Sequence, residues 1–387
     1  MSTKTKTILA ALGFATLMTS AAHAGGFSRG TADTDILFEQ GTFVTRFGAT
    51  YVSPTQNVNI GTPGTPGPAG SFDNTPSYFV PSAAMKLQVT DSLGCAGTFT
   101  TPFGGDVDYS GSFLGYDTDS LATTSQSFVT NELGLTCGYG IDVGPGRAYL
   151  IGGVFMQTLD FEQNVLGNIA PGGAGVFELS DTGFGYRIGA AYEIPEIALR
   201  AQLLYRSAVS VDAEGSFTSV IGNNPFAVGT ATFPQSVELK VQSGVAPGWL
   251  VFGSAKWTDW SSFDTLDYVA LTPSALVFNY SDGWTVTAGV AHRFNEQFAA
   301  SASVTWDQGV GTGFDLNGAD VYTIAVGGSY TPSEMVEVRA GLGVSFFGGD
   351  SQDFRDIGGG NSLPIAGYKT SSSGNAIGGS FSAKIKF

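Results

Sequence analysis

The chain has 387 residues, of which 42% are hydrophobic and 13% charged, with 55 Gly, 29 Phe, 14 Tyr and 5 Trp. That aromatic content excludes intrinsic disorder, and a formal charge of −16 leaves no basic face for a nucleic-acid partner. An ordinary soluble domain carries roughly 25% charged residues and about 7% Gly, so half that charge with twice that Gly favours one large barrel over several soluble domains.

Lys4 and Lys6 precede an apolar run over residues 8–18, and Ala22-His23-Ala24 supplies the small-x-small pattern of a signal-peptidase site. The run is too short to span a bilayer, so residues 1–24 are expected to be a removed signal peptide. Its loss takes away Lys4 and Lys6 and no acid, moving the formal charge to −18. No later stretch reaches about 18 uninterrupted apolar residues, so an exported chain of this kind enters a bilayer only as a closed sheet.

From residue 42 onward the sequence alternates with period two. Phe184, Tyr186, Ile188 and Ala190 alternate with Arg187, Gly189 and Ala191; Phe381, Ala383, Ile385 and Phe387 alternate with Ser382, Lys384 and Lys386. One face is apolar and the other small, polar or sparsely charged, the dyad of lipid outside and lumen inside. Fourteen strands are predicted, over 42–53, 77–90, 94–103, 125–141, 147–160, 181–194, 197–210, 233–246, 248–260, 281–294, 297–308, 319–331, 335–348 and 373–387. The expectation is an all-β fold, a transmembrane antiparallel β-barrel over residues 42–387, with residues 25–41 as a short N-terminal periplasmic or plug segment. Long connections, including 54–76, 104–124, 161–180 and 211–232, alternate with short ones and mark the outer side.

Several short motifs keep a common order along the chain. They are Gly25-Gly26-Phe27 after the signal peptide, Val80-Pro81-Ser82, Phe233-Pro234-Gln235-Ser236, Trp257-Thr258-Asp259-Trp260-Ser261-Ser262-Phe263 and the terminal Phe387. In these the chain resembles the FadL/TodX (OMPP1) family of outer-membrane transporters of hydrophobic compounds, over essentially the whole mature length. The resemblance implies a monomeric fourteen-stranded barrel in the outer membrane of a Gram-negative bacterium, with an N-terminal segment plugging the lumen. It implies passive, ligand-gated uptake of long-chain fatty acids or aromatic or aliphatic hydrocarbons, caught on outer loops and released through a side opening. The partners expected with it are outer-membrane lipid, lipopolysaccharide and, through Phe387, the barrel-assembly machinery. Relatives commonly carry a longer plug with an Asn-Pro-Ala motif, which this sequence lacks.

A side opening needs a broken ladder, and Pro or Gly within a strand breaks one. Pro102, Gly104 and Gly105, in Thr101-Pro102-Phe103-Gly104-Gly105, are either the gate or an ordinary strand end. Leu166, Ile169 and Phe177 in 161–180, with Phe217 and Phe226 in 211–232, are apolar for solvated loops. They form either a capture groove or two loops packed over the barrel mouth. Alternation turns Arg46, Lys86, Arg187, Arg200, Arg206, Lys240, Arg339, Lys384 and Lys386 inward, facing Glu132, Glu193, Glu238 and Glu337. These are either a lumen ion-pair network or, at Arg200, Arg206 and Lys240, a site for a substrate carboxylate.

Cys95 and Cys137, at one periplasmic level on adjacent strands, are either disulfide-bonded or two buried thiols. Trp257, Trp260 and Trp284 are expected on the aromatic girdle at the membrane interface. Enzyme chemistry has little to stand on. His292 is the only His left after the signal peptide, and Gly349-Asp350-Ser351 is too short to count as a nucleophile motif. No cofactor or metal site is expected; Asp106, Asp108, Asp117 and Asp119 read as a solvated acidic loop or a divalent bridge to lipopolysaccharide. Three functions remain: a transporter of hydrophobic small molecules, a general diffusion porin, and a barrel adhesin or enzyme. The mixed apolar and charged inner face favours the first.

Overall fold

A computed structural model describes residues 26–61, 70–73, 75–108, 122–167, 173–219, 222–311, 319–353 and 369–387. The expected signal peptide, Ile169, Asp117 and Asp119 lie outside the described residues, as does the side chain of Leu166.

All the strands form one antiparallel sheet that closes on itself. Its wall has fourteen strands, three of them in two pieces. They are β1 (Phe43–Gly61), β2 (Tyr78–Gln88), β3 (Leu93–Thr100 and Gly104–Asp108), β4 (Ala122–Val143), β5 (Gly146–Gly167), β6 (Gly173–Ile194) and β7 (Leu199–Arg206 and Val209–Ser219). The rest are β8 (Gly222–Phe233 and Ser236–Ala246), β9 (Trp249–Thr258), β10 (Gly283–Arg293), β11 (Phe298–Asp307), β12 (Val321–Ser333), β13 (Val336–Asp353) and β14 (Lys369–Lys386). Each strand pairs with the next, and β14 returns to β1 in register from Val44↔Lys386 to Gly61↔Lys369. At the periplasmic rim the Phe387 amide donates to the Phe43 carbonyl, finishing the closure. Closure leaves no open edge in lipid, which is what allows a sheet to span a bilayer. On the outer side a hairpin, Thr265–Val269 with Pro273–Val277, pairs onto the outer end of β8.

The sense of the alternation changes along a single strand. On β5, Leu150 and Val154 point outward and are 68% and 63% exposed, as a lipid-facing wall requires. Further along the same outward face come Asp160 and Glu162, while Leu159, Phe161 and Val165 are buried inside. The strand has left the membrane there, so its polar face turns to water and its apolar face to the lumen. The connections expected at 161–180 and 211–232 are therefore mostly strand: β5 runs on to Gly167, β6 begins at Gly173, and β7 and β8 extend to Ser219 and from Gly222.

Trp257 and Trp284 face each other across β9 and β10, and Trp284 is exposed on the outer surface. Trp260 does not join them. After β9 the tight turn Trp260–Ser262 folds the indole inward, and it is completely buried in the lumen cluster. Cys95 and Cys137 are opposed on β3 and β4 and joined by a disulfide across 42 residues of chain.

The two largest apolar clusters among the described residues lie inside. The outer one gathers Phe103, Phe128, Phe155, Phe161, Phe177, Phe217, Phe233, Trp260 and Phe263 with smaller residues. The periplasmic one is built around Ile36, Leu37 and Phe38 of the N-terminal segment, against Val44, Ala84, Ala96, Ile151 and Ala191 of the wall.

Candidate functional site

The ladder between β2 and β3 runs from Gln88↔Gly94 to Ser82↔Thr100 and stops. Beyond it, residues 78–81 pair only with β1, while Gly104–Asp108 pairs only with β4. Pro102 sits at the break, where its missing N–H and fixed φ cannot continue a ladder. Thr130 holds the bend: its hydroxyl accepts from the Phe103 amide at 3.0 Å, and its own amide donates to the Phe103 carbonyl.

The N-terminal segment occupies this break from inside. Ser28 and Phe103 form an isolated antiparallel bridge, the Arg29 amide donates to the Pro102 carbonyl at 2.8 Å, and the Gly104 amide donates to the Phe27 carbonyl at 3.0 Å. The Arg29 guanidinium pairs with Asp106 on β3 and lies 4.1 Å from the Tyr78 ring centre on β2. A β-carbon on Gly104 would come within 2.7 Å of Arg29 Cζ, and one on Gly105 within 2.8 Å of Phe27 Cδ1. These two glycines make room for the segment.

Further along, the segment is tied to the wall by charge. A 3-10 turn, Thr34–Phe38, lies near β1 to β4. Asp33 and Glu39 both meet Arg46 on β1; Glu39 also meets Lys384 on β14 at 2.9 Å, and Asp35 meets Lys240 on β8 at 3.5 Å. Here, in contrast to Arg29 and Asp106, the segment supplies the acids and the wall the bases. Burial alone would raise the pKa of Glu39, but Lys384, Arg46 and Arg339 outweigh it and hold the carboxyl at about 2. Asp35 is likewise buried, and Lys240, Arg200 and Arg46 together bring it below its usual value.

The bases proposed for a carboxylate are engaged. Arg206 meets Glu132 at 3.0 Å and donates to Gln157, and Arg187 meets the other oxygen of Glu132. Lys240 pairs with Asp35 and Glu238; Arg200 lies over the Phe38 ring and donates to Gln242. Glu337 bridges Arg339 and Lys384, and Tyr149 donates to Glu193. Lys256 on β9, between Glu238 and Thr285 in register, makes no ion pair with a described carboxylate.

Phe177 and Phe217 come together inside the outer cluster, with ring centres 6.4 Å apart. Phe226 does not; it is 83% exposed on the far face of β8. Sequence reasoning missed Arg29, Asp33, Asp35 and Glu39, which precede the first strand and share no alternation with it, and Trp260, whose inward course is set by a turn.

A closed fourteen-stranded barrel with an interrupted third strand invites comparison with known proteins. Residues 36–387 match the family model described as outer membrane protein transport protein (OMPP1/FadL/TodX). The chain belongs to the OMPP1/FadL/TodX family. It is 23% identical to the long-chain fatty acid transport protein of Escherichia coli K12 over 378 residues, covering 85% of this chain and 82% of that one. The Salmonella typhi protein of the same name is 25% identical over 370 residues, with the same coverage. In fold it is similar to a Pseudomonas aeruginosa FadL homologue, with a TM-score of 0.74 at 15% identity over 96% of this chain and 98% of that one. It is also similar to the P. putida toluene transporter TodX, with a TM-score of 0.63 at 15% identity over 91% and 92%. As a FadL/TodX family member the protein resides in the outer membrane of a Gram-negative bacterium, takes up hydrophobic compounds and is not an enzyme.

Proposed function

We propose that the protein works as a monomer in which the N-terminal segment, residues 25–41, is the plug and the break between β2 and β3 is the exit. A hydrophobic molecule crosses the outer leaflet by entering the apolar chamber lined by Phe161, Phe177 and Phe217 at the outer end. It moves toward the N-terminal segment and leaves sideways at Pro102, Gly104 and Gly105, into lipid and not into water. Leaving into water would cost about 0.8 kcal/mol for each CH₂ exposed, and a wall opening removes that barrier. The observation that carries the reading is the splice of residues 27–29 into the gap of β3. Outer-membrane lipid receives the cargo, lipopolysaccharide surrounds the outer strand ends, and Phe387 is the signal offered to the barrel-assembly machinery. Leu166 and Ile169 keep their proposed part in substrate capture, and Phe226 offers a first apolar contact outside the chamber. Arg200, Arg206 and Lys240 act as lumen ion-pair groups that keep the barrel closed.

The test compares uptake with conductance. Cells carrying the protein accumulate a labelled hydrophobic compound, toluene or oleate, faster than cells without it, while the purified barrel in a planar bilayer shows only small, intermittent current. Large, steady ohmic current would make it a porin and overturn the reading.

A further inference from the structure

Cys95 and Cys137 stand on the outside of the wall. Their strand neighbours Ala96 and Thr136 point into the lumen and are completely buried, whereas the two cysteines are half-buried on the opposite face. On that face the bond is ringed by Leu87, Leu135, Leu150, Val154 and Ile188, all of them exposed. In an outer-membrane barrel such side chains face acyl chains, so the disulfide lies against hydrocarbon, on the periplasmic side of the break. No described side chain fills the space beside it. A β-carbon added at Gly97, two residues along β3, or at Gly152, opposite Cys137 on β5, would meet nothing within 4 Å. Lipid is what covers the bond.

That position is hostile to the chemistry that makes a disulfide. Thiol–disulfide exchange proceeds by attack of a thiolate, a state that a Cys reaches in water or beside a cation. In hydrocarbon the charge loses its solvent, and the bases of this region, Lys86 and Arg187, are buried on the lumen side of the sheet. A water-soluble oxidant is also kept away by the lipid. We propose that Cys95 and Cys137 are oxidised before the barrel enters the membrane, by a periplasmic dithiol–disulfide oxidoreductase acting on the unfolded chain, and that insertion then seals the bond. One Cys thiolate opens the enzyme's disulfide to give a mixed disulfide, and the second Cys displaces the enzyme. One S–S bond forms and one breaks; two electrons pass to the enzyme, and the two thiol protons end on its two sulfurs.

The sequence makes this order workable. With only two Cys in the chain a single pairing exists, so the oxidant needs no folded template. The fold gives the order a use. Beyond Ser82↔Thr100 the third strand has no ladder to β2, and its outer piece pairs only with β4. A bond made in advance ties β3 to β4 across 42 residues of chain before the sheet closes around the break.

The full chain in lipid vesicles tests the sealing, and pulse-labelled cells test the order. Protein refolded into vesicles with reduced thiols is exposed to oxidised glutathione, and its thiols are then counted in urea with a maleimide polymer. Oxidation is expected to be at least about a hundredfold slower than for the same chain held in urea. The reverse measurement does not depend on folding of the reduced chain: the oxidised barrel in vesicles keeps its bond in a water-soluble phosphine that reduces the urea-unfolded chain completely. In cells the bond is expected in newly exported chains that do not yet show the heat-modifiable mobility of the folded barrel. Oxidation or reduction of the inserted barrel within about threefold of the unfolded rate would overturn the proposal. So would a folded barrel that appears in cells with free thiols and acquires its bond later.

Discussion

The Arg29 guanidinium touches both sides of the interrupted wall, pairing with Asp106 on β3 and lying against the Tyr78 ring on β2. No ladder joins β2 to the second piece of β3, so this one side chain takes the place of the missing strand contacts. It is almost fully buried, and a hydrogen bond to a charged group is worth roughly 1.5–3 kcal/mol. Arg29→Ala is expected to raise the open fraction by about tenfold or more, since each 1.4 kcal/mol is a factor of ten. Uptake at low substrate concentration and the frequency of brief openings in planar bilayers both report it. Wild-type values in both would remove the latch.

Gly104 and Gly105 give a second approach to the same contact. A valine at either position collides with Arg29 or Phe27, by the close approach of the missing β-carbon. Gly105→Val is expected to expel the segment and leave a leaky barrel, seen as increased conductance. Pro102→Ala changes the bend without filling space and is expected to leave conductance low while slowing uptake.

The strand count and order of the wall were legible because lipid enforces apolar residues at every second position on fourteen segments. The outer strand ends were not. Past the membrane Asp160 and Glu162 take the outward places and Phe161 and Val165 the inward ones, so a reader following the lipid-facing stripe loses it and reports a loop. The inward bases were legible by the same parity, but their partners on the N-terminal segment were not, because Asp33, Asp35 and Glu39 lie in a 3-10 turn and its flanks with no strand periodicity. The inward placement of several aromatic rings of the outer cluster was invisible for a related reason. Trp260, Phe263, Phe278 and Tyr280 are brought inward by turns and tertiary contacts that spacing does not encode.

Acid should release the N-terminal segment. Glu39 has its pKa lowered from 4.5 to about 2, so its carboxylate favours the docked segment. That stabilisation is fully present above pH ~4.5 and is lost as the pH falls toward ~2, where the docked carboxyl takes up its proton. Asp35 shifts in the same direction and adds to the effect. Bilayer recordings are expected to show openings becoming frequent below about pH 3. Glu39→Gln should show them at neutral pH, and a flat profile from pH 7 to 2 in both proteins would contradict the pairing.

The Cys95–Cys137 bond closes a loop of 42 residues between β3 and β4, on the periplasmic side of the break. Replacing both cysteines with Ala is expected to lower barrel stability by about 2–4 kcal/mol without reducing uptake. Urea unfolding in lipid vesicles, followed by heat-modifiable mobility, measures the first part. An unchanged midpoint would mean that the barrel ladders alone hold this region.

Gating at the break in β3 requires residues 27–29 to move out of the wall, and a reversible cross-link tests that movement directly. Ser28 and Phe103 are bridge partners, so Ser28→Cys with Phe103→Cys, in a background with Cys95 and Cys137 replaced by Ala, places two thiols face to face. Uptake of labelled toluene by cells carrying this variant should stop when the pair is oxidised and return on reduction. Uptake at the reduced rate while the bond is demonstrably closed would show that the segment need not move, and would contradict the account.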